Sequence, residues 1–128
     1  MAFRYGFGLV PSTLAEDGDP VDVLELMDEP AAVRCLLKCR IIGIIESVQG
    51  KKRDRERNDR IVAIEQYNHS FSYIRHVEDL GERFVQELED FFVNYHELSA
   101  EKYRVIDVKG LKEATRRVAD GIRAFKTV

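Results

Sequence analysis

The hydrophobic pattern changes its period part-way along the chain, and this change limits the folds open to it. Across residues 3–66 apolar residues alternate in short runs, as expected for β-strands, whereas from residue 80 onward they recur at helical spacing. Strands that precede helices in this way predict an α+β domain, or a small barrel with helices packed outside it. At 128 residues the chain has room for one such domain.

Five strand-like segments are separated by turn-forming residues. The longest, residues 35–48, is rich in isoleucine; its first half alternates and its second half is apolar on both faces, which predicts that it enters the core. The other four cover residues 7–10, 21–27, 61–66 and 103–108. Two amphipathic helices are predicted, one over residues 80–98 with an aromatic-rich face and one after Gly110.

Composition disfavours several classes of function. Lys and Arg number 20 and Asp and Glu 23, a net charge of -3, which argues against a protein that binds nucleic acid through its phosphates. The sequence has no apolar run long enough for a membrane helix and no pattern of a secretory signal at its start. Its two cysteines, Cys35 and Cys39, lack metal-ligand partners and are expected to be buried free thiols of a cytoplasmic protein.

Residues 49–60, QGKKRDRERNDR, are the most hydrophilic part of the chain. Six of them are Lys or Arg and three are Asp or Glu. Tips of hairpins are normally polar, so a solvated loop is the expected structure. The alternative is that the basic side chains attract a polyanionic substrate.

The run DGDPVD, residues 17–22, carries three carboxylates, those of Asp17, Asp19 and Asp22. These charges repel one another, and holding them close together is unfavourable unless a cation lies among them. Gly18 allows a sharp bend, and Asp22 falls on the same strand face as Leu24, which aims it inward. A Mg²⁺ site is one interpretation. An Asp-rich turn whose side chains cap backbone N–H groups is the other, and spacing alone leaves both open.

This acidic run lies within a segment that resembles a known family. The sequence PSTLAEDGDPVDVL, residues 11–24, closely resembles the signature region of the family I soluble inorganic pyrophosphatases. Agreement continues at residues 27–30, 40–46, 58–63 and 91–95, so it covers nearly the whole chain. The resemblance implies an OB-like five-stranded barrel, here incomplete, with two helices packed outside. It also implies hydrolysis of pyrophosphate to two phosphates by a metal-activated water, with Mg²⁺ or else Mn²⁺ as the cofactor.

The resemblance further implies the roles of individual residues. Asp17 and Asp22 match metal-binding aspartates. Asp19 matches the general base that takes the proton from the attacking water. Tyr95 matches a tyrosine that hydrogen-bonds the substrate phosphate.

Other site positions depart from the family pattern. Asn58, Asp59 and Arg60 stand where the family usually has Asp-x-Lys. Asn58 offers a carbonyl oxygen to the metal but no charge, and Asp59, the alternative ligand, is one place out of register. Arg60 keeps the positive charge and can hold phosphate bidentately. Three further positions carry Gln49, His96 and Phe7, where the family usually has Asp, Lys and Tyr.

Family chains carry several more strands before the segment that begins here at Phe3. The resemblance therefore predicts one pyrophosphatase-like domain, residues 1–128, that lacks those strands. Such a chain either folds as an open sheet with two helices or buries its open edges by forming a homo-oligomer, and the family's habit of forming oligomers favours the second. Three functions stay open. The first is a Mg²⁺-dependent pyrophosphatase. The second is a truncated or degenerate relative without turnover, which binds metal or phosphate or acts through assembly. The third is a generic OB-like binding module, which the net charge of -3 disfavours.

Overall fold

A curled sheet, open like half a barrel, carries the two main helices of the chain. The computed structural model describes residues 4–27, 36–50, 55–66, 71–95 and 103–127, apart from the side chains of Arg4 and Tyr95. Its strands are β1 (Arg4–Leu9), β2 (Asp22–Met27), β3 (Cys39–Gln49), β4 (Glu56–Arg57), β5 (Arg60–Glu65) and β6 (Tyr103–Lys109). Its helices are a 3₁₀ helix (Val77–Leu80), α1 (Phe84–Tyr95) and α2 (Leu111–Lys126).

The long strand β3 lies at the centre of the strand pairing. Its first part pairs antiparallel with β5 and its last part antiparallel with β6, so these two strands flank it. The short strand β4 pairs with the end of β3, along the edge that β5 occupies. Beyond β5, strand β2 is parallel to it, and β1 is antiparallel to β2. The parallel pair decides which side chains of β2 and β5 are neighbours.

Alternate residues of the strands form two separate cores, one under each helix. On one face, Phe84, Leu88 and Phe92 of α1 pack against the sheet. The sheet residues of this core are Leu24, Leu26, Ile42, Ile45, Val62 and Ile64. On the other face Ala114 and Val118 of α2 pack against Val21, Val23, Ile44, Ile61 and Ala63. The helices therefore lie on opposite faces, and each strand residue points at either α1 or α2.

Most predicted elements are confirmed, with shifted ends. Residues 42–47 of β3 are all buried, as its apolar second half predicted. The predicted loop over residues 49–60 was wrong at Glu56 and Arg57, which form β4, while residues 51–54 lie outside the described part. The first long helix begins at Phe84 rather than at residue 80, because Gly81, at a φ of 90°, ends the 3₁₀ helix before it.

The cysteine prediction is tested at one position only, since Cys35 lies outside the described residues. Cys39 is a free, half-buried thiol. Burial, with the nearby carboxylates of Glu25 and Glu65, raises its pKa to about 11, which favours the neutral, unreactive form. Of the described helices, none is long and apolar enough to cross a bilayer.

Candidate active site

The acidic loop between β1 and β2 has a hydrogen-bonded neck. The Val10 N–H donates to the Val21 carbonyl at 2.9 Å. The buried Thr13 hydroxyl donates to the Val10 carbonyl at 2.6 Å and accepts from the Val21 N–H at 3.1 Å. The Leu14 N–H donates to the carbonyl of Gly121 in α2 at 3.0 Å. The base of the loop is thus fixed to its own strands and to α2.

The tip of this loop is a turn built around Gly18. The Ala15 N–H donates to the Asp19 carbonyl at 2.8 Å, and the Gly18 N–H donates to the Ala15 carbonyl at 3.0 Å. Gly18 has a φ of 85°, a conformation that other residues rarely adopt. One carboxylate oxygen of Asp17 accepts from the Asp19 N–H at 2.9 Å. The Asp-rich turn is therefore present, and the second oxygen of Asp17 takes no part in that bond.

Strand register brings Asp22 next to Arg60. Because Val23 pairs with Ile61 in the parallel β2–β5 ladder, the residues before them, Asp22 and Arg60, begin the two strands side by side. Partial burial raises the pKa of Asp22; Arg60 acts to lower it, and the charges of Asp17 and Asp19 raise it further. The loop thus holds its carboxylates near enough to Asp22 for them to repel its charge.

The guanidinium of Arg60 lies against aromatic rings. It is 4.9 Å from the centroid of the Phe92 ring and 5.5 Å from that of Phe7, both within cation–π range. It also hydrogen-bonds Tyr103, whose ring stacks on Phe92 with centroids 4.0 Å apart. Burial lowers the pKa of Arg60, while Tyr103 and Asp22 act to raise it. The cation is therefore held in place by α1, β1 and β6 at the edge of the acidic cluster.

The Asn58 amide lies beside Arg60. One end of this amide lies 2.6 Å from Oε1 of Gln49 and 2.9 Å from a terminal nitrogen of Arg60. In one orientation its Nδ2 donates to Gln49, and in the flipped orientation its oxygen accepts from the Arg60 guanidinium. The Asn58 N–H donates to the Ser47 carbonyl at 2.8 Å, and the Ser47 hydroxyl donates to the Asn58 carbonyl at 2.5 Å. An oxygen donor and a cation thus lie together at the start of β5.

Comparison with known proteins identifies the family to which this site belongs. The family model described as inorganic pyrophosphatase matches residues 1–126. The chain belongs to the inorganic pyrophosphatase family. The inorganic pyrophosphatase of Aquifex pyrophilus is 35% identical over 130 residues, which cover 98% of this chain and 71% of that protein.

Solved structures of the pyrophosphatase family share the fold. The inorganic pyrophosphatase from Thermus thermophilus aligns with a TM-score of 0.81 and 28% identity, over 94% of this chain and 68% of that one. The enzyme from Helicobacter pylori, at 24% identity, gives the same TM-score of 0.81 over 95% of this chain and 71% of that one, a likeness of fold. The predicted OB-like fold is confirmed.

Two residues that the resemblance to pyrophosphatases put forward lie apart from the cluster or beyond description. Asp59, the alternative metal ligand, turns to the α2 face, where its carboxylate accepts hydrogen bonds from Arg57 and Arg117. Tyr95 is the last residue of α1, one turn beyond Phe92, and its side chain is not among those described. His96 lies outside the described residues as well.

The described residues contain no cluster of three or more His, Cys, Asp or Glu side chains that could hold a metal ion. Mg²⁺ rarely needs such a cluster, since it keeps several waters and is bound by one or two carboxylates and the substrate phosphates. Burial raises the pKa of Asp22 most, and the charges of Asp17 and Asp19 raise it further; a bound cation would relieve that repulsion. Asp17 and Asp22 offer carboxylate oxygens and Asn58 an amide oxygen, which are ligand types that Mg²⁺ accepts.

The groups that hold Arg60 were not predicted from the sequence. Tyr103 is the first residue of β6, 43 positions later in the chain. Phe92 is expected from its helical spacing to be a core residue, and it is one, yet its ring also lies under a guanidinium. The only signal available was aromatic character at the start of a strand and on a helix face, which does not name a partner.

Proposed function

We propose that this chain hydrolyses inorganic pyrophosphate to two phosphates in a Mg²⁺-dependent reaction. The observation that carries the proposal is the β2–β5 register, which sets Asp22 beside Arg60 within the electrostatic reach of Asp17 and Asp19. Carboxylates for a metal and a guanidinium for phosphate are the two kinds of group that a diphosphate substrate requires. Membership of the pyrophosphatase family supports this substrate.

Each polar group of the cluster has a proposed role. Asp17, Asp22 and Asn58 hold Mg²⁺, or Mn²⁺ in its place. When bound there, the ion neutralises part of the diphosphate charge and lowers the pKa of a water that it coordinates. Asp19, which follows Gly18 in the turn, accepts the proton of the attacking water as general base.

Substrate binding is assigned to Arg60 and Tyr95. The aromatic contacts of Arg60 restrain its guanidinium, so less rotational freedom is lost when its N–H groups bind phosphate oxygens. Burial around Arg60 also strengthens its attraction for an anion, because the local dielectric is lower than that of water. Tyr95 belongs to the same helix as Phe92, which lies under that guanidinium.

A second candidate is a relative that binds divalent metal or phosphate without turnover. It is favoured by the contact between the Asn58 and Gln49 amides, 2.6 Å apart, because both are neutral where the resemblance leads one to expect carboxylates. With two fewer charges, the metal would be bound more weakly. Action through assembly into a homo-oligomer and a cytoplasmic location stay predictions.

A phosphate-release assay separates these candidates. Turnover of pyrophosphate is measured with Mg²⁺ and then with Mn²⁺ for the wild-type chain, for Asp19→Asn and for Asp120→Asn. Asp120 is an exposed residue of α2 that pairs with Arg116 and Arg123, so it is the matched control. Turnover that Asp19→Asn abolishes and Asp120→Asn preserves supports the enzyme.

Absence of turnover shifts the test to binding. Metal-dependent thermal stabilisation that is lost in Asp17→Asn would then support the non-catalytic relative. A wild-type chain with neither turnover nor metal-dependent stabilisation would overturn both candidates.

A further inference from the structure

Two carboxylates, one buried and one partly buried, lie under α2 on the sheet face opposite the candidate active site. The side chain of Glu46 is 8% exposed and that of Asp59 is 17% exposed. Arg117 of α2 bridges them, with one terminal nitrogen 2.6 Å from Glu46 Oε2 and the other 3.0 Å from Asp59 Oδ2. Its Nε donates to Glu113 of the same helix at 3.0 Å, which fixes the direction of the guanidinium. These four residues are called the α2 clamp.

Asp59 joins the clamp to the active-site residues through the backbone. It is the residue between Asn58 and Arg60, and in an extended segment its side chain points to the face opposite theirs. Its Oδ1 also accepts from the Ser47 N–H at 3.2 Å. Ser47 in turn makes both backbone contacts to Asn58 described above. Anchoring Asp59 therefore restrains the peptide groups on either side of it.

Other cations near the clamp do not provide the same link. Arg57 contacts both acids, but it is 54% exposed and only two residues from Asp59, so it links Asp59 to Glu46 of β3 and not to α2. Lys109 is 43% exposed and contacts Glu46 at 2.8 Å. Arg117 is 30% exposed and comes from a helix 58 residues away from Asp59. Hydrogen bonds to carboxylates that are largely out of water are the stronger ones.

We infer that Arg117 is a positioning residue for the candidate active site. Through Asp59 it holds the start of β5, so that the Asn58 oxygen and the Arg60 guanidinium keep their places. Nothing in its contacts brings it to the substrate, and it acts from the far side of the sheet. The kinetic part of this inference rests on the proposed function.

The test compares Arg117→Met with Arg123→Met. Arg123 is an exposed arginine of the same helix that pairs with Asp120, so it controls for loss of a surface charge from α2. Steady-state kinetics with pyrophosphate and Mg²⁺ give kcat and KM, and amide hydrogen exchange reports the Ser47 and Asn58 N–H groups. For Arg117→Met we expect kcat/KM to fall by about 10–100-fold, the usual cost of losing a group that orients a ligand side chain.

Two further variants distinguish positioning from a general loss of stability. Arg117→Lys keeps the charge and the fold but cannot bridge two acids with a planar fork, so kcat/KM should fall between the wild-type and Arg117→Met values. The double variant Arg117→Met with Asp59→Asn should lose no more than the worse single variant, because both break the same link. In each variant the exchange of the Asn58 N–H should accelerate more than that of amides at the centre of β3.

The outcomes separate this inference from the proposed function. If the wild-type chain hydrolyses no pyrophosphate, the proposed function fails and the exchange measurement alone decides the inference. Exchange at Ser47 and Asn58 that matches Arg123→Met would overturn it. So would a kcat/KM for Arg117→Met within about twofold of that control, since an unlinked surface pair has little effect.

Discussion

Thr13 holds the neck of the acidic loop, and Thr13→Val tests whether that neck depends on one hydroxyl. The Thr13 side chain is buried, with the residue 1% exposed, and its Oγ1 joins the Val10 carbonyl to the Val21 N–H. Valine has nearly the same shape, so the substitution leaves no cavity. It does leave the buried Val21 N–H without the acceptor that Thr13 provides.

The magnitude follows from that one lost acceptor. A buried donor left without a partner costs about 1–3 kcal/mol. We therefore expect the free energy of unfolding to fall by about 1–3 kcal/mol in Thr13→Val. For a chain of this size each kcal/mol lowers Tm by roughly 3–6 °C. Since the neck carries the loop that bears Asp17 and Asp19, kcat/KM should fall as well.

Urea unfolding in EDTA, analysed with a common slope, measures the change without any contribution from bound metal. Thr115→Val, at an exposed position of α2, is the matched control, because it makes the same chemical change where the hydroxyl meets water. Thr13→Ser keeps the hydroxyl and should retain most of the stability. A Thr13→Val protein within about 0.5 kcal/mol of Thr115→Val would refute the reasoning.

Two other changes have outcomes that the structure predicts. Burial and the charge of Glu65 raise the pKa of Glu25 above its usual 4.5, so its ionised form is disfavoured in the fold and that contribution to stability falls as pH rises. Urea unfolding at several pH values should thus show Glu25→Gln gaining stability relative to wild type as the pH rises above about 4. Glu82→Gln, at an exposed position, controls for the removal of a charge. A difference between Glu25→Gln and wild type that does not change with pH would contradict the reasoning. In Gly121→Ala the new Cβ would lie 2.8 Å from Val21 Cγ2. Overpacking costs about 1–3 kcal/mol and should exceed the gain of about 1 kcal/mol in helix propensity, so we expect a lower Tm. A higher Tm would contradict this and show that α2 can shift.

Several parts of the fold could be predicted because they depend on neighbouring residues. The isoleucine-rich run predicted β3 and its burial, and the helical spacing of Phe84, Leu88 and Phe92 predicted α1. The resemblance of the acidic segment predicted the family. The two residues of β4 were missed because a strand that short has no periodicity of its own and exists through its pairing with the end of β3.

Some residues of the candidate site could likewise be predicted from local sequence. Local spacing was enough to single out Asp17, Asp19 and Asp22 and to place Asp22 on the same strand face as Leu24. Leu24 is buried in the core, whereas Asp22, at the start of the strand, is exposed. The turn at Gly18 and the pairing of Asp17 with the Asp19 N–H are also local, since they span only a few residues. These features can be predicted because the backbone geometry between residues a few positions apart fixes which side chains share a face and which can contact one another.

The partners of these residues were decided only by the tertiary structure. That Asp22 lies beside Arg60 depends on the parallel register of β2 and β5, whose residues are 38 positions apart. The hydrogen bond between Tyr103 and Arg60 depends on the position of β6, and the hydrogen bond from Arg117 to Asp59 depends on the position of α2. The register of the strands and the position of each helix depend on which apolar faces can be buried together. Those faces come from distant parts of the chain, so no short segment of sequence contains the information. The acidic loop, the family and Arg60 as a candidate phosphate ligand could therefore be determined from the sequence alone. Packing decided that Arg60 lies beside Asp22 and which aromatic rings hold it.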